Sequence, residues 1–442
     1  MGINPPPPST PDAPPSTSAR AFALDTLGAV LEQKRPLDEV LGDNSERDRL
    51  TPRDRAFARL LVATTLRRLG QIDRIIDGCL DKPLPRRAAA VKLMLRLGIC
   101  QLLFLGTPPH AAVDTTVELV AARGGEAGFK GLINAVLRRV DRERAAWLEQ
   151  TADPSLNAPT WLWESWVAAY GVERAGEIGA AHLQEPPLDL TPKSDAASWR
   201  DRLGATLLPT GSLRLPLDGP IESLPGFGEG GWWVQDAAAA LPARLLSDVA
   251  GKRVIDLCAA PGGKTAQLAA AGADVIAVDR SAPRLERLRR NLTRLGLNAT
   301  TVVADAALWQ PDRPADAVLL DPPCSATGTI RRHPDVSWLK RPEDVAKLVA
   351  LQSRLLQAAL AMVRPGGIVV FCTCSLQPEE GPAHIAALLR DGAPVERFPI
   401  QSAEVGSLDS LIDANGDLRT LPCHLSELGG IDGFFAARLR RR

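Results

Sequence analysis

Two thiols and one carboxylate in this chain are spaced for covalent chemistry on an aromatic base. Asp321-Pro322-Pro323-Cys324 follows one apolar run, and Thr373-Cys374-Ser375 closes another. Pro322 and Pro323 lack N–H groups and fix φ, so Asp321 and Cys324 sit on a stiff loop. A pyrimidine ring is a poor carbon nucleophile. Thiolate addition to ring carbon 6 turns carbon 5 into an enamine carbon able to attack a methyl group. A carboxyl group bonded to the ring nitrogen and the exocyclic amine eases that addition and favours cytosine. A base then removes the carbon-5 proton and the thiol leaves. On these grounds either cysteine could be the nucleophile, and its thiolate needs a nearby cation or helix N-terminus.

A third segment offers a cofactor seat. The run Val254-Ile255-Asp256-Leu257-Cys258 breaks into Ala259-Ala260-Pro261-Gly262-Gly263-Lys264-Thr265, followed by an Ala/Leu-rich helical pattern. Strand, tight glycine turn and helix start a nucleotide-binding βαβ unit, with unpaired N–H groups at the helix N-terminus. The turn is not Gly-x-Gly-x-x-Gly, which disfavours a dinucleotide. It is not a P-loop either, since the position of that motif's first glycine holds Cys258. Asp279, ending the next strand, can accept from both ribose hydroxyls, and Asp305, ending the one after, is placed for an adenine amino group. Two carboxylates without a phosphate clamp suit S-adenosylmethionine. The expected cofactor contacts are Cys258, Ala259, Ala260, Pro261, Gly262, Gly263, Lys264, Asp279, Arg284, Asp305 and Asp321.

The elements that must position these groups read as α/β. Strand candidates are Val254–Cys258, Val275–Asp279, Thr300–Val303, Ala317–Asp321, Ile368–Thr373 and Phe434–Leu439, with helices between them. The alternation predicts a doubly wound, Rossmann-like sheet whose strand ends share one crevice, its last strand inserting antiparallel at an edge. Ahead of it, 21–150 reads as an all-α bundle of short-linked helices. The stretch 151–235 mixes Trp-rich helix with short strands, an α+β linker subdomain, and 236–442 holds the catalytic sheet. Residues 1–20, with seven prolines before Ala19, predict a disordered tail.

Composition narrows the class. The 442 residues are 45% hydrophobic and 24% charged, which fits a globular protein with real cores. No apolar run approaches the roughly 20 residues that span a bilayer, and the start has no signal-peptide pattern, so a cytoplasmic chain without membrane contact is expected. Seven scattered cysteines without a Cys-x-x-Cys pair argue against zinc, and no metal is expected. The net charge is zero but uneven: 51–100 carry eleven Lys/Arg against four Asp/Glu, and 251–300 nine against four. Each could face phosphates. Arg331, Arg332 and His333, just past the Pro-Cys loop, are candidate RNA phosphate contacts, because a cytosine in a duplex must be flipped out or single-stranded to be reached.

The motifs carry two resemblances. The pieces Arg53-Asp54-Arg55-Ala56-Phe57, Leu93-Arg96-Leu97-Gly98 and Phe129–Arg138 resemble the NusB-like RNA-binding domain. Asp321–Gly328, Thr373-Cys374-Ser375 and Cys258–Lys264, with Arg331–Asp335 and Asp432-Gly433-Phe434-Phe435, resemble the bacterial small-subunit ribosomal RNA cytosine-5 methyltransferases. The resemblance covers about 21–439. It implies a monomeric enzyme using S-adenosylmethionine on carbon 5 of a 16S ribosomal RNA cytosine. It also implies Cys374 as nucleophile, Cys324 in product release and Asp321 on the ring. DNA cytosine methyltransferases use the Pro-Cys cysteine instead, so the paired cysteines argue for RNA. Transfer RNA as substrate, or an RNA-binding factor with an inactive catalytic domain, are the alternatives. Ala240 and Gly381 depart from the family pattern, which usually has Gln and Asn there.

Overall fold

The computed structural model describes residues 15–42, 50–216 and 219–442. The chain divides into two compact units. One ends at Pro159 and takes in His333–Leu339; the other is Thr160–Arg332 with Lys340–Arg442.

The first unit is helical: Pro15–Leu31, Pro52–Arg67, Leu69–Cys79, Ala89–Leu103, Pro109–Ala122, Lys130–Arg142 and Arg144–Gln150 surround a core that includes Leu27, Leu61, Ile72, Leu97 and Leu137. Thr51 caps the second of these by accepting from Asp54 N at 3.2 Å. Gly98 suits the close approach of Ala89–Leu103 to Lys130–Arg142: a Cβ there would stand 2.8 Å from Leu137 Cδ2, and the leucine would have to shift. The first helix begins at Pro15, so 15–20 are not tail as expected; residues 1–14 lie outside the described residues. Burial decides this boundary, since Ala19 is fully buried and Arg20 Nε donates to Gln101 Oε1 at 2.7 Å. Arg67, near the end of the second of these helices, is also buried. His333–Leu339 pack in this unit through Asp335, which accepts from Leu37 N at 3.0 Å, and Trp338 Nε1, which donates to Leu66 O at 2.9 Å.

The second unit opens with helices Thr160–Tyr170 and Val172–His182 and a small antiparallel sheet. Its strands are β1 (Leu188–Pro192), β2 (Thr206–Leu207), β3 (Leu213–Leu215) and β4 (Trp232–Val234), in the order β2-β3-β1-β4. Trp166 and Trp232 are core residues, and Trp166 packs on the buried His182. Next come β5 (Arg253–Leu257), β6 (Asp274–Asp279), β7 (Thr300–Val303), β8 (Ala315–Leu320), β9 (Val363–Thr373), β10 (Val395–Arg397), β11 (Leu418–Thr420) and β12 (Phe434–Arg441). The order is β10-β12-β9-β8-β5-β6-β7, with β11 on β12; β5 to β9 are parallel and β12 antiparallel. Alternate residues feed two cores. Ile255, Leu257 and Phe371 meet Leu355 and Leu356 of the helix Pro342–Met362; Val254, Leu319 and Val370 meet Leu241 and Leu268 on the other face.

The doubly wound expectation holds, with one change. β12 is not an edge strand, because β10, which the sequence reading missed, lies outside it. Phe434 through Leu439 are buried on both faces, as a central strand requires. The strand order reverses between β5 and β8, and the crevice outside their carboxyl ends is where such sheets bind ligands.

Candidate active site

The carboxyl end of β5 shapes the turn. Cys258 takes a left-handed φ of 60° and Gly262 one of 103°, opening the helix Gly263–Ala270. A Cβ on Gly262 would come within 2.6 Å of Leu288 Cγ, so the turn needs glycine there for space as well as for φ. Asp279 Oδ2 accepts from Ala260 N at 3.1 Å and its Oδ1 from Ser281 N at 2.9 Å. Arg284 donates to Ala260 O and keeps its guanidinium 3.9 Å from Asp279. Ala304 N donates to Asp279 O at 3.1 Å, joining the end of β7 to this turn, and Asp305 beside it is exposed. The segment 258–264, Asp279 and Arg284 thus form one hydrogen-bonded group. Burial pushes the Cys258 thiol up to about 12, so it is no nucleophile at neutral pH.

Lys264 reaches from this turn to the end of β8. Its Nζ donates to Asp321 Oδ2 at 2.6 Å and lies 4.9 Å from the Phe434 ring centroid. Burial opposes its charge most strongly, but the surrounding acidic groups, Asp321 first among them, together outweigh it and raise the ammonium above its ordinary value. Behind it, Asp256 is buried and accepts from Thr265 Oγ1 at 2.6 Å. Burial, only partly offset by Thr265 and Lys264, pushes Asp256 up to about 7. In the unfolded chain this group titrates near its ordinary value of about 3.9. A raised folded pKa contributes stability that is fully present below the unfolded value and is lost as pH rises through about 7. Asp256→Asn is expected to remove that part of the slope, on the order of 2–3 kcal/mol between pH 4.5 and 8. Thermal unfolding of both proteins across that range checks it; parallel profiles would refute it.

The two cysteine loops meet at the ends of β8 and β9. Cys324 Sγ and Cys374 Sγ are 3.4 Å apart, and both residues are partly exposed. Gly328 N donates to Cys374 O at 2.9 Å, and Gly433 N to Gly328 O at 2.8 Å. A Cβ on Gly328 would fall 1.9 Å from Gly433 O, so this loop can lie on the start of β12 only without a side chain. The bond to the Cys374 sulfur, burial, and the nearby Glu380 and Asp321 charges push the Cys324 thiol well above its ordinary value. Tyr170, the chain's one tyrosine, donates to Leu376 O at 2.6 Å, and Arg419 Nη1 donates to Ser375 O at 2.7 Å, so the loop after Cys374 is braced from two sides.

The expected phosphate contacts are rearranged. Arg331 is 1% exposed, donates to Gly429 O at 2.5 Å, and lies 3.5 Å from Asp236 and 3.6 Å from Asp432. Its charge is neutralised inside the fold, so it cannot serve as a surface phosphate contact. Arg332 Nε donates to the same Asp432 at 2.8 Å and is about one-third exposed. His333 Nδ1 lies 3.2 Å from Asp38 in the helical unit.

Two site groups escaped the sequence reading. Glu380 is fully buried between the cysteine loops, and Gln352, on the otherwise apolar face of Pro342–Met362, reaches it. The available signals were an acidic pair six residues past Cys374 and a lone amide in an apolar helix. Of the family departures, Ala240 is buried and its carbonyl accepts from Gln267 Nε2 at 2.8 Å; Gly381 backs onto Arg419 and Phe435. Among the described residues no cluster of three or more His, Cys, Asp or Glu is placed to hold a metal.

Comparison with known proteins gives concordant matches. Residues 243–440 match the family model of 16S rRNA methyltransferase RsmB/F, and residues 17–142 that of the NusB family. The chain is similar to ribosomal RNA small subunit methyltransferase B of Salmonella arizonae, 36% identical over 96% of this chain and 98% of that one. The fold resembles the crystal structure of PH0851, with TM-score 0.74 and 22% identity over 98% of this chain and 100% of that one. It also resembles a methyltransferase homolog protein from Pyrococcus horikoshii, with TM-score 0.54 and 27% identity over 66% of this chain and 98% of that one.

Proposed function

The chain belongs to the 16S rRNA methyltransferase RsmB/F family, and on that premise we propose that it methylates carbon 5 of a cytosine in small-subunit ribosomal RNA. S-adenosylmethionine supplies, when bound, an electrophilic methyl group on a sulfonium. The residues at the β5 turn fit such a cofactor. Its glycines leave the backbone open to a ligand, and Asp279 and Asp305 offer carboxylates to the ribose hydroxyls and the adenine amino group. Lys264, the cation that a P-loop would aim at a phosphate, is instead ion-paired to Asp321 at 2.6 Å.

The observation that carries the reading is the 3.4 Å approach of Cys324 and Cys374 beside that ion pair. Asp321, steered by Lys264, accepts from the exocyclic amine of the flipped cytosine, and a proton held between its carboxyl group and the ring nitrogen completes the contact. The Cys374 sulfur adds to carbon 6, and carbon 5 becomes the nucleophile that takes the methyl group. Transfer of the carbon-5 proton to a water molecule acting as base, and departure of the Cys374 sulfur as thiolate, then restore the ring. The two sulfurs lie within hydrogen-bond reach of each other, so Cys324 can act as helper to an attacking Cys374 sulfur. With Arg331 internal, the exposed Arg53 and Arg59 of Pro52–Arg67, in the unit that matches the NusB family, are offered to RNA phosphates.

Mapping 5-methylcytosine in ribosomal RNA from cells with and without the gene tests this. One small-subunit position is expected to lose its mark and regain it when purified protein and S-adenosylmethionine are added. An unchanged small-subunit pattern, or loss confined to transfer RNA, would overturn it.

A further inference from the structure

Glu380 is fully buried, and its carboxylate gathers donors from three separate segments. Ser325 N, next to Cys324, lies 2.9 Å from Oε1 and 3.2 Å from Oε2. Ser375 Oγ, next to Cys374, donates to Oε2 at 2.6 Å. Gln352 Nε2 donates to Oε1 at 2.9 Å and to Pro323 O at the same distance, so the long helix is tied both to the carboxylate and to the loop before Cys324. Ser325 Oγ and Ser375 Oγ, 2.9 Å apart, close the ring. All these donors are neutral. A carboxylate has acceptor sites on both oxygens, whereas an amide would bring two N–H groups into a place already filled with donors.

We propose that Glu380 is a positioning residue for methyl transfer: its buried carboxylate clamps the Cys324 loop to the Cys374 loop and sets the separation of the two sulfurs. This rests on the cysteine roles proposed above. Neither sulfur is held by its own side chain alone. Cys324 is fixed through Ser325 and Pro323, Cys374 through Ser375, and Glu380 is the atom group that all three connections share. The charge also has an electrostatic consequence. Lying beside Cys324, it disfavours a thiolate there. A neutral clamp would hold the loops without that bias.

Glu380→Gln, nearly the same shape, removes the charge and puts an amide among the clamp's donors, so each effect is given its own readout. In the full-length protein its kcat is expected to fall ~10–100-fold, with KM for RNA and for S-adenosylmethionine within about threefold of wild type. In a Cys374→Ser background, alkylation of Cys324 by iodoacetamide is expected to reach half-maximal rate at a lower pH once Glu380 is Gln, because a neighbouring negative charge has been removed. That readout needs no methyl transfer, so it stands whether or not the cysteine roles are assigned correctly; those are tested by the activity of Cys374→Ser itself. A wild-type kcat, or a loss of kcat with the alkylation profile unmoved, would overturn the proposal. If Glu380→Gln does not fold, Gln352→Ala removes one donor and carries the comparison. A ~3–10-fold fall in kcat at unchanged KM is then expected, and no fall overturns it.

Discussion

Cys374→Ser is expected to lose methyl transfer by at least ~10³-fold while still binding S-adenosylmethionine and RNA. The exchange replaces one partly exposed sulfur by oxygen at the end of β9, and the braces on that loop, from Tyr170 to Leu376 O and from Arg419 to Ser375 O, are backbone contacts that it does not touch. The fold should therefore survive with an unfolding temperature near that of wild type. What disappears is an ionisable thiol at the reacting position: a serine hydroxyl is far harder to deprotonate and is a weak nucleophile without an adjacent general base. Single-turnover transfer of a radiolabelled methyl group measures the loss directly. A rate within tenfold of wild type would remove Cys374 from the nucleophile's role. If Cys324→Ser abolished transfer in the same assay, the role would move to the Pro-Cys cysteine.

How much of this arrangement can be read from residues alone varies with the physical origin of each part. β5, β6, β8 and the second half of β9 are parallel strands buried on both faces, and such strands are continuous apolar runs with turn residues at their ends. Their order along the chain, and the crevice outside their carboxyl ends, follow from strand-helix alternation. β10 and β11 carry no such signal. Val395-Glu396-Arg397 and Leu418-Arg419-Thr420 are three-residue strands with charged members, and they exist because β12 offers each a partner. The start of the first helix at Pro15 likewise depends on a distant contact, Arg20 with Gln101.

The same division runs through the site. The glycine turn, Asp321 and the two cysteines are legible because the chemistry demands those types in short motifs. Arg331-Arg332-His333 reads as a basic surface run, yet Arg331 is buried against Asp236 and Asp432, about one hundred residues away on either side, and only the folded chain brings those carboxylates to it. Glu379 and Glu380 are identical in type and adjacent; one is exposed and the other fully buried. No local pattern distinguishes them, because the difference is which one faces Ser325, Ser375 and Gln352.

Cys324→Ala is expected to do the opposite of Cys374→Ser: methyl transfer proceeds once per enzyme, and the product stays attached. The Cys324 sulfur lies 3.4 Å from the Cys374 sulfur, on a loop stiffened by Pro322 and Pro323. Before attack, that contact lets either sulfur donate to the other. After methylation, the Cys374 sulfur must leave carbon 6 with its bonding electrons, and a hydrogen bond from Cys324 stabilises the charge that builds on it. Alanine removes that donor while leaving Asp321, Lys264 and Cys374 in place, so attack and transfer continue and expulsion stalls. Turnover should fall at least ~10²-fold, the usual scale for losing a positioned proton donor. The trapped species should run as a protein–RNA band on a denaturing gel and carry one labelled methyl group per enzyme. The double variant Cys324→Ala with Cys374→Ser should form no band, since the sulfur that makes the bond is gone. Free RNA alone on the gel, with multiple turnovers from Cys324→Ala, would show that the second thiol has no part in release. The 3.4 Å contact would then be no more than close packing of two loops.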